Sequence, residues 1–301
     1  MNIKPWIAAF RPRTLPLALS SIAMSGFLAA SAGKFNGWLF TLCCVTTIFL
    51  QVLSNLANDY GDTINGADHA GRTGPQRAVQ SGAITPGAMR TAMIVFVLLS
   101  LISGLSLLFV AFGWNLQMIG FFLVLGLLSI MAAIAYTVGR KPYGYMGLGD
   151  ISVLIFFGLI GVLGSYYLFT QEFSWDLLGP ALSCGLFSVA VLNINNIRDI
   201  ESDRAAGKFS IPVRVGKEVA AKYHWVLLIG GWMGAVAFVV TRYTSPVQWI
   251  FVLSAPLFFL NGRSVSQKPS SQLDPYLKQM ALSTLVFVLL FGLGQLFAFR
   301  P

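Results

Sequence analysis

Residues 38–62 read WLFTLCCVTTIFLQVLSNLANDYGD, an apolar run that ends in carboxylate and amide side chains. A membrane-spanning helix needs about 20 mostly apolar residues. On a helix, Asn55, Asp59 and Asp62 are spaced i, i+4, i+7 and share one face. The stretch therefore predicts a spanning helix whose end presents polar oxygen atoms.

A second stretch repeats this pattern, because residues 195–203 read NNIRDIESD. Asn195, Asp199 and Asp203 are spaced i, i+4, i+8, a helical face fanned by about 80°, and Glu201 points elsewhere. The two Asn-x-x-x-Asp units end the second and sixth predicted spans. Both of these spans run from outside to inside, so we expect the two acidic ends to face each other at one depth.

The composition excludes several classes of protein. Of 301 residues, 56% are hydrophobic and only 10% are charged, whereas soluble domains carry about 25% charged residues. A soluble enzyme, a disordered chain and a nucleic-acid-binding protein are thereby excluded. The three cysteines lie in apolar runs without metal-ligand spacing.

The sequence predicts an all-α membrane protein with nine transmembrane helices in one domain, residues 1–301. The predicted spans are 14–32, 38–60, 88–112, 115–137, 148–169, 177–197, 220–241, 246–262 and 278–298. When Arg90, Lys222 and Lys278, which lie at span ends, are counted with the adjacent segments, 17 of the 20 Lys and Arg residues fall on alternate flanking segments and 3 on the others. Because basic residues stay cytoplasmic, we expect a cytoplasmic N-terminus and a periplasmic C-terminus.

The four aspartates need neutralisation near a bilayer. Mg²⁺ binds one or two carboxylates together with substrate phosphates, so facing acidic helix ends suit a magnesium-bridged diphosphate. Solvation of the acids, or pairing with loop cations, is the alternative. The basic residues predicted to bind phosphate oxygens are Arg72, Arg77, Lys208 and Arg214, although the positive-inside rule alone would also put cations there.

Four stretches carry a family resemblance: 53–62 (LSNLANDYGD), 136–145 (YTVGRKPYGY), 147–150 (GLGD) and 192–196 (LNINN). Together with the paired motifs they resemble the UbiA superfamily of intramembrane prenyltransferases, in particular its branch that acts on 1,4-dihydroxy-2-naphthoate. The resemblance implies Mg²⁺-dependent transfer from a polyprenyl diphosphate to that acceptor, with loss of CO₂ and diphosphate to give demethylmenaquinol. It further implies a multi-pass protein of the bacterial inner membrane whose active site faces the cytoplasm.

Both the resemblance and the chemistry of the residues indicate that two magnesium ions are bound. Asp59 and Asp62 would hold one ion and Asp199 and Asp203 the other, with Asn55 and Asn195 as further ligands. The 136–150 segment would bind the acceptor through Tyr136, Arg140, Lys141, Tyr143 and Asp150.

The chain departs from the family pattern at three positions. Gly66 stands where many members carry a third acid, with Asp68 nearby, and Thr137 and Arg140 replace a proline and a lysine. Two alternatives stay open: a 4-hydroxybenzoate or other aromatic prenyltransferase, and an ion-coupled transporter. Against a transporter, the acids lie at one face rather than at the midplane.

Overall fold

The computed structural model describes residues 3–67 and 76–298, and every regular element within those ranges is helical. A π-helical segment, Leu154–Gly164, joins α6 to α7, and a 3₁₀ segment, Pro246–Ser254, precedes α11. The α-helices are α1 (Lys4–Phe10), α2 (Leu15–Ser31), α3 (Gly37–Ile64), α4 (Pro86–Phe112), α5 (Leu116–Ala135), α6 (Gly149–Val153), α7 (Ser165–Thr170), α8 (Leu178–Arg198), α9 (Ile200–Ala205), α10 (Ile211–Thr241), α11 (Ala255–Gln267) and α12 (Asp274–Ala298).

Eight helices within the described residues are long and apolar enough to cross a membrane. They cover eight of the nine predicted spans. The predicted span 246–262 instead consists of the 3₁₀ segment followed by α11. Pro256 accounts for the break, because proline has no backbone N–H and its ring collides with the carbonyl four residues earlier. It is tolerated in the first turn of α11, where no intrahelical donor is required.

The helix α8 is the most buried of the membrane-spanning helices that the structure describes. In its span, 72% of the apolar window is buried, against 11% in the span of α5. Close approach to α10 depends on Gly179 and Gly234, because a side chain at either position would collide with the carbonyl oxygen of the other. The second predicted acidic motif therefore lies at the end of the most enclosed helix.

Ion pairs mark the two ends of α8. At its start, Arg242 pairs with Asp176, and Lys34 pairs nearby with Glu172 at 2.7 Å. At its end, Arg198 contacts Asp274 at 2.5 Å. The chain between Arg242 and Asp274 therefore travels the length of α8, although its two helical pieces are each short.

Reporter fusions placed after Thr244 and after Ser270 should therefore report opposite sides of the membrane. The physical reason is that the ion pairs hold residues 242 and 274 at opposite ends of α8. Paired alkaline phosphatase and fluorescent-protein fusions would measure this. The same side at both positions would contradict the path of the chain in the structure.

Candidate active site

Two adjoining cavities lie between the helices. The larger, of about 390 Å³, is lined mainly by apolar residues of α3, α4, α5 and the π-helical segment. The smaller, of about 150 Å³, lies where α3 and α8 end. Gln51, Asn58 and Tyr136 line both cavities, so a polar chamber opens into an apolar one.

The smaller cavity combines cations with oxygen-bearing side chains. Its cations come from three separate segments: Arg11 after α1, Arg77 before α4, and Lys208 after α9. The oxygen-bearing side chains that line it include Asp62, Asn58, Asn195 and Asn196. Such a chamber suits an anionic group that also carries a divalent cation.

The first acidic motif lies on α3, as predicted, and Asn55, Asp59 and Asp62 are all buried. The two carboxylate oxygens of Asp59 each accept a backbone N–H bond of 3.1 Å, from Ala78 and Val79. Asn55 instead donates to the carbonyl of Phe10, at 2.9 Å, and so holds the N-terminal segment. Asp59 thus orders the segment that carries Arg77.

Asp62 is the acid of this motif that faces the smaller cavity. The hydroxyl of Tyr145 donates to its Oδ1 at 2.9 Å, and Arg77 Nη2 lies 3.9 Å from its Oδ2. The Lys208 ammonium lies 5.7 Å from the centre of the Tyr145 ring. Tyr145 therefore connects the first motif to the loop that follows the second.

The second motif spans a local irregularity of the helical backbone that its spacing does not predict. The helix α8 ends at Arg198, and Asp199 has φ −98° and ψ 12° before α9 begins at Ile200. Neighbouring side chains on a regular helix do not face each other, yet Arg198 and Asp199 form a two-bond ion pair. The local bend makes this pair possible. Glu201 is exposed, as expected.

Asp203 and Lys208 form a buried pair, with Lys208 Nζ 3.4 Å from Asp203 Oδ1. Burial raises the pKa of Asp203 to about 6, against the opposing effect of Lys208. Burial alone would lower the pKa of Lys208, but the carboxylates of Asp62 and Asp203 raise it above its ordinary value. Lys208 is therefore a permanently charged cation within the acidic cluster.

The buried oxygens of the second motif fit a hard divalent cation. Within the part of the chain that the structure describes, Asp203 Oδ2 and Asn196 Oδ1 are buried without a hydrogen-bond partner, and carboxylate and amide oxygens are ligands for Mg²⁺. Among residues 3–67 and 76–298, no three His, Cys, Asp or Glu side chains already converge on one point. Because Mg²⁺ takes one or two carboxylates plus phosphate oxygens, this arrangement still fits.

The predicted acceptor segment divides into two parts. Tyr136 and Tyr143 line the larger cavity, and their rings pack edge to face with centroids 5.4 Å apart. Asp150 is buried and accepts a 2.9 Å bond from the hydroxyl of Tyr223. Arg140 and Lys141 are exposed and line neither cavity. The tyrosines, rather than the two cations, border the space where a ring could bind.

Arg214, a further predicted phosphate ligand, does not line the smaller cavity. The guanidinium of Arg214 donates to the carbonyls of Phe209 and Met146, both at 2.9 Å, and so ties two loops together. Arg72 lies outside the described residues, as does Asp68.

Thr137, which replaces the proline of the family pattern, locks this segment against α3. Its hydroxyl donates to the carbonyl of Ala57 at 2.9 Å, and Asn65 donates to the Thr137 carbonyl at 2.7 Å. A Cβ atom on Gly61 would lie 2.5 Å from that same carbonyl oxygen. Gly61 therefore allows the close contact that positions Tyr136 and Tyr145.

Several residues that line the site are not among those predicted from the sequence. Asn58 and Asn196 could have been predicted, because each acidic motif carries a second asparagine in addition to Asn55 or Asn195. Arg11 could not, since its place in the cavity depends on how the N-terminal segment folds back. It adopts a left-handed conformation, φ 49° and ψ 65°, at the junction after α1, and such backbone positions recur at functional sites.

Comparison with known proteins supports one family over most of the chain. Residues 18–285 match the UbiA prenyltransferase family. Proteins named 1,4-dihydroxy-2-naphthoate octaprenyltransferase are 47% identical in Haemophilus influenzae, over 98% of this chain and 96% of that protein, and 45% identical in Escherichia coli, over 96% and 94%. The fold resembles a UbiA homologue from Archaeoglobus fulgidus bound to GPP and Mg²⁺, with a TM-score of 0.68 at 14% identity, covering 97% and 99% of the two chains.

Gly61→Ala should destabilise the protein by about 1–3 kcal/mol, the range for overpacking a tight contact. It should also lower prenyl transfer, because the added methyl pushes Thr137 and Tyr136 away from α3. Thermal unfolding in detergent and turnover in membranes would measure the two effects.

Gly120→Ala is the matched control, since Gly120 is exposed in α5 and a Cβ there meets nothing within 4 Å. Alanine should leave stability unchanged or raise it by about 0.5–1 kcal/mol. Equal behaviour of the two variants would show that the α3 contact does not position the segment.

Proposed function

We propose, since this chain belongs to the UbiA prenyltransferase family, that it transfers a polyprenyl group from polyprenyl diphosphate to 1,4-dihydroxy-2-naphthoate. The products are demethylmenaquinol, CO₂ and diphosphate. Relatives at 45–47% identity carry the name of this activity over nearly the whole chain, and they support the choice of acceptor.

The main support for this type of reaction is that the two cavities adjoin and share lining residues. A prenyl diphosphate has an anionic head and an apolar tail, and the chain offers a cationic polar chamber that opens into an apolar one. Tyr136 and Asn58 line both, so the allylic carbon of a bound substrate would lie at their junction. A transporter does not require such a junction.

We assign the diphosphate to Arg11, Arg77 and Lys208. Buried guanidinium and ammonium groups form charge-assisted hydrogen bonds to phosphate oxygens. They would stabilise the extra negative charge that develops as the allylic C–O bond breaks. Arg72 and Arg214 remain predicted contributors, Arg214 through the loop that it fastens.

The proposed magnesium ligands are Asp59, Asp62, Asp199 and Asp203, with Asn55 and Asn195 as supporting amides, for two ions. Bound Mg²⁺ would supply Lewis-acid stabilisation of the departing diphosphate. Asp59 keeps further lone pairs on the oxygens that accept from Ala78 and Val79. Asn196, whose buried side-chain oxygen has no hydrogen-bond partner among the described residues, joins the candidate ligands.

The larger cavity would hold the tail and exclude water from the allylic cation, whose hydrolysis is the competing reaction. Tyr136 and Tyr143 would border the ring of the acceptor, with Asp150 behind them. A carbon–carbon bond forms between the allylic carbon and the ring carbon that bears the carboxylate, and that carboxylate leaves as CO₂. The electron pair of the broken C–CO₂⁻ bond restores aromaticity, so this route needs no proton acceptor.

We further propose a single domain, residues 1–301, with nine crossings of the bacterial inner membrane. The path of the chain between Arg242 and Asp274 supports a crossing over 246–267, and the distribution of basic residues supports a cytoplasmic active site. The lipid bilayer would then deliver the polyprenyl diphosphate, and the anionic acceptor would arrive from the cytoplasm.

Acceptor competition tests this function directly. Membranes containing the protein, supplied with polyprenyl diphosphate and Mg²⁺, should prenylate 1,4-dihydroxy-2-naphthoate in preference to 4-hydroxybenzoate by about 100-fold or more, the scale of a discriminating polar site. Mass spectrometry of the quinols would measure the ratio, and membranes with Asp203→Asn protein provide the control. Preferential prenylation of hydroxybenzoate would reassign the acceptor.

A further inference from the structure

Arg198 belongs to the second acidic motif and binds the side chains of that same motif. Its Nε and Nη2 donate to Oδ1 and Oδ2 of Asp199 at 2.8 and 2.7 Å, and Nη2 also donates to Asn195 Oδ1 at 2.9 Å. One guanidinium therefore contacts both members of the Asn-x-x-x-Asp unit. These are oxygens that the proposed function assigns to a magnesium ion.

Burial explains why this pairing is strong. The side chains of Arg198 and Asp199 are each only 1% exposed, and a buried carboxylate is destabilising unless a partner neutralises it. Arginine stays charged and its planar fork matches a carboxylate with two parallel bonds. Within the described residues, three aspartates of the two motifs have a cationic partner, and Asp199 has the shortest of these ion pairs. Lys208 lies 3.4 Å from Asp203, and Arg77 lies 3.9 Å from Asp62.

Arg198 also contacts a carboxylate outside the site. Its Nη1 donates to Oδ1 of Asp274, the first residue of α12, at 2.5 Å. The Asp274 side chain is 36% exposed and lies 3.2 Å from Arg13, so it is itself paired on its other side. The guanidinium is thus shared between an inner acid, Asp199, and an outer acid, Asp274.

We propose that Arg198 is an exchangeable internal counter-cation that holds Asp199 and Asn195 in the metal-free protein and is retained by Asp274 when a divalent cation takes their oxygens. This inference rests on the proposed magnesium-dependent function. Arg198 is a positioning residue, and it would allow the acidic site to fold before a cation binds. The same contacts make it a competitor for that cation.

The two contacts of Arg198 have opposite consequences for cation affinity. Without Arg198, Asp199 lacks its neutralising partner, so the metal-free protein should lose stability while the competition disappears. Without the Asp274 carboxylate, Arg198 has no outer acid and should stay on Asp199, which strengthens the competition. A purely structural ion pair would instead stabilise the protein equally with and without a divalent cation.

The test measures thermal unfolding of the full-length protein in detergent, in EDTA and across a Mg²⁺ titration, with inorganic diphosphate at one fixed concentration to supply the phosphate oxygens of the site. The variants are Arg198→Gln and Asp274→Asn. Arg204→Gln is the matched control, because Arg204 follows the same motif but is half-exposed and contacts only Glu201 among the ion pairs of the described residues.

We expect Arg198→Gln to lower the Tm in EDTA, to regain most of the loss in Mg²⁺, and to reach half-maximal stabilisation at a lower Mg²⁺ concentration than the wild type. In Asp274→Asn that concentration should rise about tenfold, the scale of one hydrogen bond between charged groups. Arg204→Gln should match the wild type in both respects.

An equal loss of Tm in EDTA and in Mg²⁺ for Arg198→Gln, or an unchanged Mg²⁺ midpoint for Asp274→Asn, would overturn the inference and leave the proposed function intact. If Arg198→Gln does not fold, the midpoint of Asp274→Asn decides. A wild-type protein whose Tm ignores Mg²⁺ would instead contradict the magnesium site itself, and this inference with it.

Discussion

The burial of four carboxylates at one end of a membrane bundle is the constraint on which the rest of the site depends. A buried charge must be paired, and each acid is: Asp59 by two backbone N–H groups, Asp62 by Tyr145, Asp199 by Arg198 and Asp203 by Lys208. Except for Arg198, which ends α8, these partners come from segments outside the membrane-spanning helices. The acids therefore order the loops, and the loops bring the cations that line the smaller cavity.

Close packing of small residues makes this arrangement possible. Gly61 lets the Thr137 segment lie directly on α3, and the Gly179–Gly234 contact brings α10 against α8. Tyr136 reaches both cavities as a result of the first contact. The polar end and the apolar interior thus meet at a tyrosine that is fixed by backbone contacts rather than by its own charge or polarity.

Hydrophobic length and helical spacing predict the helices and the acidic ends, because both depend on local chemistry. Other features depend on tertiary contact. Arg11 enters the cavity only through the return of the N-terminal segment, and Arg214 binds loop carbonyls that its charge could not reveal. The irregular backbone at Asp199 allows a pairing of adjacent residues that helical periodicity does not anticipate. Pro256 is visible in the sequence, but a span prediction that uses apolar content alone does not register the helix break that this proline causes.

We propose that the polar chamber recognises a diphosphate together with Mg²⁺, while the apolar cavity takes the tail. Equilibrium binding of an unreactive prenyl diphosphate analogue to the purified protein, with Mg²⁺ and with EDTA, tests it most directly. A polyprenol of equal length serves as the headless control. We expect tight binding of the analogue only with Mg²⁺, and weak polyprenol binding that Mg²⁺ does not change. Equally tight binding of the analogue in EDTA would contradict it.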